Sequence, residues 1–141
     1  MPHTKANFEL SKAMVESVEE HSPAEVSAEE LHALLHTPGK GAVVVVDVRP
    51  AEDFANFHIP GSVNKPFQEL NYTQLISDVA PHAKQAGYVF VFVSAQSPDV
   101  DDLAAREYIN EFSKIHHHPP EEGAVGILLG GVRNYLQRYP S

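Results

Sequence analysis

The sequence predicts an α/β fold, a central, mostly parallel five-stranded sheet flanked by helices on both faces. Three observations point to it. Residues 42–49 (AVVVVDVR) and 88–94 (YVFVFVS) are continuous runs rich in β-branched and aromatic residues, of the kind buried on both faces of a parallel sheet. A third such run, 124–129 (AVGILL), follows near the end. Segments with helical spacing separate the runs, and strands alternating with helices imply βαβ units. A chain of 141 residues suits one domain. At that size it buries roughly 68–70% of its unfolded surface, enough for a core.

Each element has a local reason. Residues 1–22 form an N-terminal extension with a weak helical pattern (Met14, Val15 and Val18 on one face), punctuated by Ser22-Pro23; residues 23–141 form the domain. Ala24 to Val26 read as a very short strand. Ser27-Ala-Glu-Glu30 fits a capping box, in which the Ser hydroxyl and the Glu carboxylate take up free backbone N–H groups. Leu31, Leu34 and Leu35 give the following helix its apolar face, and residues 37–41 (TPGKG) end it. After the 42–49 strand, Pro50 starts a short helical turn over 51–57. His58-Ile-Pro-Gly-Ser62 is a turn and 63–67 a short strand. Residues 71–84 make a helix with Leu75, Ile76 and Val79 inward, which Pro81 must bend or shorten. The 88–94 strand empties into a short loop. Asp101 and Asp102 then sit where acids favour a helix start, and Leu103, Ala104, Tyr108, Ile109 and Phe112 follow at helical spacing. Residues 116–123 (HHHPPEEG) read as an exposed loop. Gly130-Gly131 makes a tight exit from the 124–129 strand, and 132–139 close the chain as a helix.

Composition narrows the function. The net charge of −9 argues against nucleic acid, whose phosphates require Lys/Arg clusters, and against anionic membranes. There is no cysteine, which removes disulfides, zinc-thiolate sites and thiol nucleophiles together. No signal-peptide pattern or membrane-spanning run is present, so the expected location is cytoplasmic.

The stretch VVDVRPAEDFANFHIPGSVNKP resembles the hallmark of the rhodanese family, a strand ending Asp-x-Arg followed by a short helix and a His-Ile-Pro-Gly turn. Leu128-Leu-Gly-Gly131, with Tyr135 and Tyr139-Pro140, resembles that family's Gly-Gly segment and closing helix. The likeness covers about residues 24–140 and implies a rhodanese-like three-layer fold. In loop length the chain is most similar to the cell-cycle dual-specificity phosphatase and yeast-type arsenate reductase branch. The catalytic signature of that branch is His-Cys-(five residues)-Arg. Laid on this chain, the His falls on Val93, the Cys on Ser94 and the Arg on Val100, and the Gly-Pro that follows falls on Asp101 and Asp102. The nucleophile and the arginine are both replaced.

The loop's chemistry follows from those replacements. In the resembled enzymes, backbone N–H groups and a helix N-terminus hold an oxyanion and depress the Cys pKa. Serine forms no persulfide, and its hydroxyl is a weak nucleophile without a positioned base. Reading Ser94 as a Cys→Ser trap conflicts with Val100, since a trap keeps the arginine that grips the anion. Asp99, Asp101 and Asp102 add repulsion: a carboxylate ~4 Å from an anion costs up to ~4 kcal/mol at an effective dielectric of 20. The loop is therefore expected not to hold phosphate, arsenate or thiosulfate.

The favoured function is a catalytically inactive module for protein recognition or regulation. Ser94, Ala95, Gln96, Ser97, Pro98, Asp99, Val100, Asp101 and Asp102 would face a protein partner with a basic surface. The alternative is a phosphatase, arsenate reductase or thiosulfate sulfurtransferase with its cysteine replaced by Ser94. Asp47, Arg49, His58, Gly61, Gly130 and Gly131 are assigned to the scaffold. No cofactor and no metal is expected. The three aspartates match no calcium loop, and three consecutive histidines, His116, His117 and His118, do not all converge easily. Oligomeric state stays open.

Overall fold

The computed structural model describes residues 22–36, 43–83, 89–121 and 123–140. The N-terminal extension up to residue 21 and the 37–41 helix stop lie outside the described residues. The chain runs β1 (Ala24–Val26), α1 (Ala28–His36), β2 (Val43–Asp47), α2 (Ala51–Asn56), β3 (Val63–Asn64), a 3₁₀ turn (Phe67–Glu69), α3 (Tyr72–Ala83), β4 (Val89–Val93), α4 (Val100–His116), β5 (Val125–Leu128) and α5 (Gly131–Arg138). The five strands form one sheet in the order β1-β5-β4-β2-β3, and every pairing is parallel.

The apolar runs are buried on both faces, as the sequence implies. Side chains alternate along a strand. Phe90 and Phe92 of β4 therefore pack with Val46, Ile127 and the α3–α4 side chains Leu75, Ile76, Ala104, Tyr108 and Ile109. Val91 and Val93 face the opposite way, against Val45, Leu128 and the α1 and α5 side chains Leu31, Val132 and Tyr135. Tyr108 meets the Phe90 ring edge-on at 4.9 Å, a favoured aromatic geometry. On the other layer an ion pair between Arg138 and Glu29 joins α5 to α1. Burial, followed by the neighbouring Tyr139, pushes the Tyr135 phenol above its ordinary pKa of 10.0.

The capping box forms as read. The Ser27 backbone N–H donates to Glu30 at 3.2 Å, and the Glu30 N–H donates to the Ser27 hydroxyl at 3.0 Å. Three boundaries differ from expectation. The 63–67 strand stops at Asn64, because Pro66 has no N–H to continue a ladder and the chain tightens into the 3₁₀ turn. Helix α3, expected over 71–84, runs slightly shorter, from Tyr72 to Ala83, with Pro81 inside it. Helix α4 includes both Val100 and His116, so the loop after it begins at His117. Leu103 also departs from its expected inward place and is 53% exposed. The stripe Ala104, Ala105, Tyr108 and Ile109 already fills that helix's inner face.

Candidate functional site

Strand order sets where a site belongs. From β2 the chain moves outward to β3, and from β4 it moves the other way to β5. The reversal lies between β2 and β4, and ligands of open α/β sheets bind at the carboxyl ends flanking such a switch. Arg49 lies just beyond β2, and the loop 94–99 leaves β4. Val48 N–H donates to the Val93 carbonyl at 3.0 Å, joining the two exits.

The first exit is built on a buried ion pair. Arg49 grips Asp47 with Nε at 3.0 Å from Oδ1 and Nη2 at 2.7 Å from Oδ2. Its backbone N–H also donates to Asp47 Oδ1 at 3.0 Å. Both side chains are buried. Nη2 additionally donates to the Phe57 carbonyl at 2.6 Å, and the guanidinium lies 4.9 Å from the centre of the Phe57 ring. The Asn64 amide bridges the Asp47 and Arg49 carbonyls at 3.0 Å each. His58 stacks on Phe54 at 3.9 Å, and its Nδ1 donates to the Phe54 carbonyl at 2.8 Å. Gly61 takes a left-handed φ of 84° in the following turn.

The second exit is the degenerate loop. Ser94 is buried and its hydroxyl donates to the Gln96 carbonyl. No imidazole or carboxylate is hydrogen-bonded to it among the described residues, so no base activates it. Val100, at the arginine position, is partly buried and packs against the core cluster that contains Phe92 and Tyr108. The Ser97–Pro98 peptide is cis. Gly131 seals the loop from behind: the Val132 N–H donates to the Ser94 carbonyl at 3.0 Å.

The three aspartates have separate fates. Asp101 is fully buried, and its Oδ1 accepts the Asp99 N–H at 2.6 Å and the Asp102 N–H at 2.8 Å. The chain's own carboxylate thus occupies N–H groups at the loop end and the start of α4. Its Oδ2 is buried without a partner, as is Ser97 Oγ. Asp102 pairs with Arg106 at 2.9 Å. Of the three, Asp99 alone is exposed. The outward surface is then Ala95, Gln96, Pro98, Asp99 and Leu103, all exposed. Leu103 was missed as a surface residue because its place in an apolar pattern argued for burial.

Asp101→Ala is expected to destabilise the domain by about 2 kcal/mol, the upper end for loss of a helix-start acceptor, whereas Asp101→Asn keeps the accepting oxygen and most of the stability. Urea denaturation of the two variants reads this; equal losses would mean that charge, not hydrogen bonding, holds the loop.

Between the exits lies a groove of about 220 Å³ lined by Arg49, Asp53, Asn56, Phe57, Ala95 and Arg133. The Arg133 guanidinium sits 5.2 Å from the centre of the Phe57 ring. Neither Phe57 nor Arg133 was signalled by a local motif. Arg49 is neutralised by Asp47, leaving Arg133 and Asp53 as the groove's opposing charges. Among the described residues no three His, Cys, Asp or Glu side chains gather as a metal site, and no helix is long and apolar enough to cross a membrane.

Comparison with known proteins follows this geometry. The Rhodanese-like domain profile matches residues 27–137. Among solved structures, the As-Sb reductase from Leishmania major is 23% identical, with a TM-score of 0.68 over 83% of this chain and 79% of that one. A Saccharomyces cerevisiae homologue of single-domain rhodanese and the Cdc25 phosphatase catalytic domain is 18% identical, with a TM-score of 0.63 over 82% and 81%. A possible tyrosine phosphatase from Rhodopseudomonas palustris is 22% identical, with a TM-score of 0.56 over 90% and 89%. These likenesses establish the fold alone. No curated protein sequence matches the chain. The profile match nonetheless runs from the capping box of α1 to the last turn of α5, and on that basis the chain belongs to the rhodanese-like domain family.

Proposed function

We propose that this domain is a catalytically inactive rhodanese-like module that recognises a protein partner through the rim of its former active-site loop. The chain has no cysteine, so the thiolate chemistry of rhodaneses and of phosphatases of this fold is lost. The observation that carries the recognition reading is the division of the loop into an inside, where Asp101 takes up backbone N–H groups, and an open outside. On that outside Ala95, Gln96, Pro98, Asp99 and, one helical turn after Asp99, Leu103 stand exposed. An apolar side chain within a polar rim is the usual anatomy of a recognition patch. Asp99, with the partly exposed Asp102, favours a partner with basic groups.

The test has two arms. Phosphatase, arsenate reductase and thiosulfate sulfurtransferase turnover are assayed for the chain and for Ser94→Cys. Both are expected to be inactive, because the new thiol still lacks an arginine at position 100 and Asp101 already occupies N–H groups at the loop end. Turnover by Ser94→Cys would overturn the inactive reading. In the second arm, immobilised domain captures proteins from a cell extract. The expected partner is retained at low salt, weakened as salt rises and lost with Leu103→Lys. Capture indifferent to Leu103→Lys, Asp99→Asn and salt would place recognition elsewhere.

A further inference from the structure

The histidine run after α4 does not behave as three equivalent side chains. His117 caps the helix in the left-handed region at φ 62°, and its N–H donates to the Ser113 carbonyl at 2.9 Å. That reversal brings His116 and His118 back to one side. Their ring centres lie 6.0 Å apart, and both rings rest on Phe112, at 4.3 Å and 5.8 Å respectively. Phe112 is itself packed on the core next to Tyr108. The pair is thus seated on a rooted aromatic platform.

We propose that His116 and His118 form a two-imidazole site for a divalent transition cation such as Zn²⁺, with water in the remaining positions. Two imidazoles on one ion, each nitrogen ~2.1 Å from the metal, hold their ring centres roughly 5.2 Å apart at a tetrahedral angle and roughly 6.4 Å apart when collinear. The observed 6.0 Å lies inside that interval, so the spacing of the two exposed rings matches one ion held between them. His118 has the tautomer that ligation needs. Its Nδ1 lies 2.9 Å from the Pro119 carbonyl, which only accepts, so the proton sits on Nδ1 and the Nε2 lone pair is free. The position also favours a cation, because the carbonyl end of a 17-residue helix carries the negative end of its dipole. Imidazole suits zinc, copper and nickel rather than the oxygen-seeking calcium and magnesium.

The experiment is a Zn²⁺ titration of the full chain, followed by calorimetry and by the imidazole signals in NMR spectra. The His116 and His118 rings are expected to shift together while His117 does not. His116→Ala and His118→Ala should each weaken binding by about tenfold or more, as expected for loss of a ligand contact. His117→Gly removes the middle ring but keeps the left-handed turn at no steric cost, and should leave affinity within about twofold. Equal loss from all three substitutions would mean an unstructured histidine run and would overturn the site. Zn²⁺ shifts confined to other histidines, such as the His32–His36 pair on α1, or no binding, would overturn it as well.

Discussion

Asp47→Ala is expected to destabilise the domain by about 3–5 kcal/mol, the range for stranding one partner of a buried ion pair. For a domain of this size that lowers the melting temperature by on the order of 10–15 °C. The physical reason is what remains behind. Arg49 is buried, so losing Asp47 leaves a guanidinium with the Phe57 carbonyl as its main compensation. The backbone N–H of Arg49 loses its acceptor in the same step. Arg49→Met removes the charge, retains much of the volume, and should cost less than Asp47→Ala. A double-mutant cycle on Asp47→Ala and Arg49→Met should show coupling of about 1–3 kcal/mol. Thermal and urea unfolding of the four proteins measure this. A cost below about 1 kcal/mol for Asp47→Ala would mean that water reaches Arg49 and that the pair is not a structural anchor.

Gly131→Ala should be comparably severe, about 4 kcal/mol, from two separate penalties. At φ 79° a side chain is strained by about 1–3 kcal/mol. A methyl group there would also lie 2.3 Å from the Ala95 carbonyl oxygen and 3.0 Å from that of Ser94. Both contacts are with backbone, which has no rotamer by which to move aside, and forced overpacking adds about 1–3 kcal/mol. The first turn of α5 and the loop must then separate, breaking the Val132 to Ser94 hydrogen bond. Gly61→Ala is the control. Its φ is 84°, yet nothing lies within 4 Å of the added methyl, so only the strain applies. Similar stabilities for the two variants would show that the close approach at Gly131 is dispensable.

Much of the fold was legible because its signals are local or periodic. Residues 43–46 and 89–93 are apolar on every pleat, which requires cover on both faces, and two separate cores supply it. Ser27 and Glu30 lie within one helical turn, so sequence spacing alone determines that they meet. The site was less legible. Asp99, Asp101 and Asp102 look alike in a sequence, and only the path of the chain separates a buried acceptor from an ion-paired and an exposed acid. Leu103 adjoins Ala104 in an apolar pattern, but consecutive helix positions point about 100° apart, and the inner face is the stripe Ala104, Ala105, Tyr108 and Ile109, which leaves Leu103 outside it. Phe57 and Arg133 meet across 76 positions of sequence through tertiary packing, with no local rule to foretell it.

The borders of the sheet carry a last consequence. Its outer strands are three residues long at β1 and two at β3. A segment from another protein that adds itself to a sheet needs a row of free main-chain donors and acceptors, and strands this short offer at most a bond or two. Very short borders are also a common protection against indiscriminate sheet-to-sheet growth. Strand addition at either border is therefore disfavoured. In the proposed reading a partner would instead recognise exposed side chains, which can change without disturbing the strands beneath them.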